Sequence, residues 1–105
     1  MGIFDMLKTA GIEEGVQRFR EAGNAVLLDV RTRQEYMQGH IPGSINLPLQ
    51  QIEDAEDEIE KDAKLFVYCL SGGRSSQATE MLRDMGFADV CNIGGIEGYR
   101  GELER

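Results

Sequence analysis

Cysteine, histidine and positive charge are all scarce in this chain. Its 105 residues hold two cysteines, Cys69 and Cys91, and a single histidine, His40. Two thiols are too few for a disulfide framework, and a chain this long buries roughly 60–70% of its unfolded surface without one. One histidine and no Cys-x-x-Cys pair give no structural zinc set. Lysine and arginine number 11 against 19 aspartates and glutamates, a net charge of −8. Nucleic acid and anionic membrane surfaces both require a cationic face, so neither is expected as a partner. No apolar run is long enough to span a bilayer. Met1–Lys8 lacks the charged region, apolar core and cleavage site of an export signal, and Met6 stands where an acylation signal wants Ser or Thr. A short amphipathic helix is expected there, in a cytoplasmic protein whose thiols stay reduced. Repeats, low-complexity stretches and Pro/Gly/Ser-rich linkers are missing too. A single domain over residues 1–105 is expected, with 1–11 as a variable start.

What remains is an ordinary globular composition, 41% hydrophobic and 29% charged. Ile12, Val16 and Phe19 recur at helical spacing, with Glu13 and Glu14 early and Arg18 and Arg20 late, which suits the helix dipole. Gly23 should stop this helix. Ala25 to Val30 is a near-continuous apolar run of strand length, as expected for a strand covered on both faces. Thr32 can cap a short helix, with Glu35 completing a capping box. Gly39 to Gly43 turns the chain, and Ile45-Asn46-Leu47 reads as a brief strand ended by Pro48. Gln50 to Lys61 carries Ile52, Ala55 and Ile59 on one stripe, so a surface helix is expected. Leu65 to Cys69 is a second buried strand. Arg74 to Met85 is a helix with Ala78, Met81, Leu82 and Met85 inward and Gly86 as its stop. Val90 to Ile93 reads as a strand and Ile96 to Leu103 as a terminal helix. Strands alternating with helices imply an α/β fold, a mainly parallel sheet of four or five strands with helices on both faces.

Cys69 closes its strand and opens the small-residue segment Leu70-Ser71-Gly72-Gly73-Arg74, directly before a helix. A thiol at a strand's carboxyl end, facing a helix amino terminus across a glycine loop, sits among outward N–H groups. Those donors and the positive helix end favour an anion and lower a thiol's pKa. Cys69 therefore reads as a nucleophile; the plain alternative is an inert buried cysteine. Asp29 and Arg31 follow one strand end, Cys69 another and Gly94-Gly95 a third. A parallel sheet gathers these ends on one edge, where ligands bind.

Together these segments resemble the rhodanese family. Asp29-Val30-Arg31 with Glu35-Tyr36, then Gly39 through Pro48, is similar to the first half of a rhodanese domain. Cys69 through Ala78 resembles its active-site loop, and Asn92-Ile93-Gly94-Gly95-Ile96 with Tyr99 its closing motif. The likeness covers about Asn24 to Tyr99. Ser44 stands where the family more often has Ala, and Ile96 where an aromatic residue is common, a change that bears on the pocket wall.

The resemblance implies a sulfurtransferase. Cys69 as thiolate would take sulfane sulfur from thiosulfate, a polysulfide or a persulfide, and pass it to a thiol or cyanide. Backbone N–H groups from Leu70 to Arg74 would cradle the persulfide charge, with no metal or organic cofactor needed. Phosphatases that resemble this fold have one more residue between Cys and Arg; here four separate Cys69 from Arg74, a ring suited to sulfur. The alternatives are a sulfur-carrier or interaction module that turns over only when docked to a partner protein, and a phosphatase or arsenate-reductase-like enzyme.

The remaining residues have plainer readings. Arg74 faces the ligand or braces the loop by pairing with a carboxylate such as Asp29, and bracing is favoured. Asp29 and Arg31 are expected to be supporting residues, with Arg31 also placed for an ion pair with Glu35. His40 belongs to a structural turn. Gly72 and Gly73 should permit positive φ or close backbone approach, and Ser71 can donate a hydrogen bond. Cys91 is expected in the core, a disulfide with Cys69 depending on geometry. With Arg74 as the loop's one charge in an acidic chain, a persulfide or polysulfide is the expected donor in preference to dianionic thiosulfate.

Overall fold

The computed structural model of the chain describes residues 11–105, so the helix expected at Met1–Lys8 lies outside them. β1 (Ala25–Asp29), β2 (Ser44–Asn46), β3 (Lys64–Cys69) and β4 (Asp89–Gly95) form one sheet in the order β2-β1-β3-β4. Every neighbouring pair is parallel. The described residues therefore hold four strands; the segment before Ile12 that left the expectation at four or five lies mostly outside them. All four carboxyl ends meet one edge, which places Asp29, Cys69 and Gly95 side by side: Asp29 pairs in register with Tyr68, and Cys69 with Gly95.

Two apolar layers explain the continuous hydrophobic runs. In β3, Leu65, Val67 and Cys69 pack into one layer, and Phe66 and Tyr68 into the other, the alternation that a pleated strand imposes. The first layer is closed by Ile52, Ala55 and Ile59 and by Ala78 and Leu82 of α4 (Gly73–Asp84). Ile12 and Val16 of α1 (Ile12–Glu21) close the second, together with Leu27, Ile41, Cys91 and Ile93. Between β1 and β2 lies the short α2 (Arg33–Gln38). Its Thr32 cap is formed as expected: Thr32 Oγ1 accepts from Glu35 N–H at 3.1 Å, and Glu35 Oε1 accepts from Thr32 N–H at 2.9 Å.

Two expected helices are different. The acidic segment is 3-10 over Leu49–Asp54, kinked where Gln51 leaves helical backbone at φ −115, ψ 19, and is followed by a single α turn, α3 (Ala55–Glu58). Its predicted stripe is nevertheless buried, which shows that burial, not helical regularity, holds the segment. The terminal helix shrinks to one 3-10 turn over Ile96–Gly98. Gly98 and Gly101 weaken a helix there, and tertiary partners capture the chain beyond it. His40 and Glu104 exchange backbone N–H···O bonds of 2.8 Å in each direction, and Arg105 Nε donates to Gln38 O at 2.9 Å. The chain end is thus pinned beside the turn that precedes β2.

Candidate active site

The carboxyl end of β1 is tied down by a buried ion pair. Asp29 has no exposed surface and Arg31 folds back over it. Arg31 Nε donates to both carboxylate oxygens at 3.1 Å and Nη2 to Oδ2 at 2.8 Å, while the backbone N–H of Arg31 donates to Oδ1 at 2.9 Å. Nη2 also donates to Gly39 O at 2.8 Å, and Asn46 Nδ2 reaches the carbonyls of Asp29 and Arg31, each at 3.0 Å. Arg31 thereby ties the end of β1 to the turn at Gly39, and Asn46 ties the end of β2 to the same corner. The expected Arg31–Glu35 pair does not form, because a fully buried carboxylate requires the nearest guanidinium.

Arg74 correspondingly pairs with Glu35 and not with Asp29. Its Nη1 donates to Oε1 at 2.8 Å and Nη2 to Oε2 at 3.0 Å, a two-pronged bond between the first turns of α4 and α2. Bracing of the loop is what the structure has, through a different carboxylate. The Arg74 bond, against the opposing effect of burial and with help from the Thr32 N–H and hydroxyl, pulls the Glu35 carboxyl from its ordinary 4.5 to about 2. A folded-state pKa below the unfolded one gives stability that is present above pH ~4.5 and is lost as the pH falls toward 2. The stability difference between wild type and Glu35→Gln is therefore expected to shrink steadily over that window. Urea unfolding at a series of pH values measures it; a difference independent of pH would show that the pair is not formed.

Cys69 itself is only 1% exposed, yet its sulfur is surrounded by donors. Gly72 N–H points at Sγ from 3.0 Å and Ser75 N–H from 3.3 Å, and Ser75 Oγ lies 3.4 Å away. Gly72 adopts φ +110, a left-handed conformation that glycine takes without strain and that turns its N–H inward. Burial opposes ionisation of the thiol. The Ser75 hydroxyl and the N–H groups of Ser75, Gly72 and Ser71 outweigh it, so the thiol pKa is lowered. The charge on Arg74 is also close enough to be felt: the Cys69 sulfur is among the groups that raise the Arg74 pKa.

The cradle is thus narrower than the Leu70–Arg74 run expected from sequence, and it extends one residue past it to Ser75. Gly73 opens α4 with free space where a Cβ would stand, so only Gly72 of the two loop glycines answers a conformational need. Close approach belongs instead to Gly95, where a Cβ would collide with Leu70 O and Ser71 Cα. Leu70 is 42% exposed and lines a groove of about 330 Å³ with Ile96, Glu97, Leu103, Gly39, Gln38, Arg31 and Glu35. Ile96 does form part of a wall, as its departure from the family pattern suggested. Ser44 is buried, and its hydroxyl accepts from Tyr68 OH at 3.2 Å. His40 stacks on Tyr36 with ring centres 3.8 Å apart, and its Nδ1 lies 2.9 Å from Tyr36 O, a structural placement.

Sequence reasoning missed Ser75 and Asn92. Ser75 was legible as a hydroxyl in the first turn of the helix that faces the loop. Asn92 was legible as a polar residue inside an apolar strand, which needs a partner when covered. That partner is Ser75, whose Oγ donates to Asn92 Oδ1 at 2.7 Å.

Residues 13–102 match the rhodanese-like domain family model. The chain belongs to that family. Among relatives of this rhodanese-like domain, the thiosulfate sulfurtransferase GlpE of Pseudomonas syringae is 41% identical, with 83% of this chain and 82% of that protein covered. The human thiosulfate:glutathione sulfurtransferase is 34% identical, with 80% and 84% covered. A crystal structure of a rhodanese-like domain protein from Staphylococcus aureus superposes with a TM-score of 0.81 at 29% identity, over 92% of this chain and 96% of that one. Among the described residues, no helix is long and apolar enough to cross a membrane.

Proposed function

We propose that this rhodanese-like chain is a cytoplasmic sulfurtransferase that carries sulfane sulfur on Cys69. The observation that supports it most is the ring of donors around Sγ: N–H groups of Gly72 and Ser75 at 3.0 and 3.3 Å in a loop braced by Arg74–Glu35. Such a ring stabilises a sulfur anion before attack and again when sulfur departs. In loading, the Cys69 thiolate pair attacks the outer sulfur of the donor. A new S–S bond forms, the donor's own bond to that sulfur breaks, and its pair leaves with the sulfite or thiolate. In discharge, the acceptor's pair attacks the outer sulfur of the persulfide, and the Cys69 thiolate returns. No oxidant is consumed, and two half-reactions through one covalent state give ping-pong kinetics.

The tight fit around Sγ supports divalent sulfur over a tetrahedral phosphate, so phosphatase action is the weaker reading. Arg74 is already paired with Glu35, and Glu35 and Glu97 line the adjoining groove. That charge arrangement supports a persulfide or polysulfide donor over dianionic thiosulfate, with a thiol as acceptor. The test is intact mass after incubation with thiosulfate, polysulfide or a low-molecular-weight persulfide, followed by addition of a thiol or cyanide. The reading expects a gain of one sulfur and its prompt loss to the acceptor, with thiosulfate the slowest donor. Loading without discharge to small acceptors would favour the carrier alternative, and no loading from any donor would overturn the proposal.

A further inference from the structure

Ser75 Oγ has two oxygen acceptors in reach, Asn92 Oδ1 at 2.7 Å and the Gly72 carbonyl at 3.0 Å, and itself accepts from the Cys69 S–H, with Sγ 3.4 Å away. A hydroxyl has one proton and donates one strong bond at a time. The Asn92 atom is fixed as the oxygen of its amide, because the Gly94 N–H also donates to it at 3.0 Å. A bulge in β4 produces that second bond. Register passes from Val67↔Asn92 directly to Tyr68↔Gly94, so Ile93 is the extra residue, and Gly94 takes φ +99. The backbone of β4 therefore clamps the Asn92 side chain in the one orientation that offers an acceptor to Ser75. Ser75 is fully buried.

We propose that Asn92 is a positioning residue that competes with the Cys69 sulfur for the Ser75 proton, making this hydroxyl a two-position donor. While Cys69 is a thiol, Ser75 donates to Asn92 and accepts from the S–H. When Cys69 is a thiolate, the hydroxyl turns to the sulfur and gives up the Asn92 bond. The consequence for turnover rests on the sulfur-transfer reading. As an acceptor takes the outer sulfur of the persulfide, the S–S pair stays on Sγ, and the Ser75 proton swings from Asn92 to stabilise that leaving thiolate. Loading reverses the swing: the Sγ pair becomes a bond and the proton returns to Asn92. Asn92 thus keeps the sulfur from resting as an over-stabilised thiolate, which would be a poorer nucleophile.

The charged groups around the loop are Arg74 of α4, its partner Glu35 of α2, the Asp29–Arg31 pair at the end of β1, and Glu97 beside Leu70. Asn92→Ala leaves all of them in place, so its shift in the thiol reports on the hydroxyl; Asn92→Asp adds a charge of its own, so its report on the hydroxyl is the difference between its effects with and without Ser75 Oγ. The experiment follows iodoacetamide alkylation of Cys69 against pH, read on the isolated Cys69 peptide by mass. Asn92→Ala removes the stronger competitor, leaving only the longer Gly72 carbonyl contact, and is expected to raise the rate below the thiol midpoint by at least about threefold; Asn92→Asp strengthens the competitor and is expected to lower it by a similar factor. In a Ser75→Ala background the Asn92→Ala effect should vanish and the Asn92→Asp effect should shrink. An unchanged or upward-shifted titration in Asn92→Ala overturns the proposal, as does a full-sized shift that persists without the Ser75 hydroxyl. Should Asn92→Ala not fold, the near-isosteric Asn92→Asp pair of measurements decides alone. Alkylation needs no sulfur donor, so failure here is separate from failure to load sulfur.

Discussion

Cys69→Ser is expected to abolish sulfur loading altogether, while Cys91→Ser loads at close to the wild-type rate. Serine can neither form an S–S bond nor ionise near neutral pH, so no residual activity should survive in the first variant. Cys91 lies on the opposite face of the sheet, in the layer with Ile12, Val16 and Ile93. It registers with Phe66, three residues before Cys69 on the neighbouring strand. At about 3.3 Å per residue along a strand, the two Cα atoms are at least roughly 10 Å apart. That exceeds the ~7 Å limit for a disulfide, and the side chains point to opposite faces. Cys91 therefore cannot resolve a Cys69 persulfide without unfolding of the sheet. Mass analysis of the two peptides after donor treatment checks both halves; sulfur on Cys91 in wild type would contradict the geometry.

The second large effect is on stability. Asp29→Ala leaves the Arg31 guanidinium buried without its carboxylate and is expected to cost about 3–5 kcal/mol. Against the ~5–15 kcal/mol that holds a typical domain together, this is enough to unfold much of the population. The loss should extend to the site, because Arg31 also holds the Gly39 carbonyl, and the backbone carbonyls of the pair anchor Asn46 at the end of β2. Replacing both partners by leucine removes the uncompensated charge and should recover part of the stability. Urea unfolding of wild type and the two variants measures this. A single variant within about 1 kcal/mol of wild type would show the pair to be far more solvated than its burial implies.

What the sequence disclosed and what it hid divide along a physical line. β1, β3 and α4 were legible because their signals are local: an unbroken apolar run, or Ala78 and Leu82 on one helical face. The Thr32–Glu35 capping box and the placing of Cys69 at a strand end before glycine are local in the same way. The errors concern partners chosen by burial in three dimensions. Arg74 and Glu35 are 39 positions apart, and Ser75 and Asn92 are 17 apart. Nothing in either neighbourhood identifies the other before the sheet brings them together. Asp29 and Arg31 are close in sequence, yet their pairing depends on Asp29 being fully buried at the end of β1, between β2 and β3. The terminal segment after Gly98 illustrates the same point, since its backbone is claimed by His40 and not by its own next turn.

The account depends on the Cys69 sulfur being an anion held by N–H donors despite its burial. Titrating that one thiol, by its alkylation rate from acid to alkaline pH in the Cys91→Ser protein, tests this most directly. The donors around the sulfur predict a midpoint below that of an ordinary cysteine. A midpoint at or above that value would mean that burial outweighs the loop, and the proposed chemistry would lose its nucleophile.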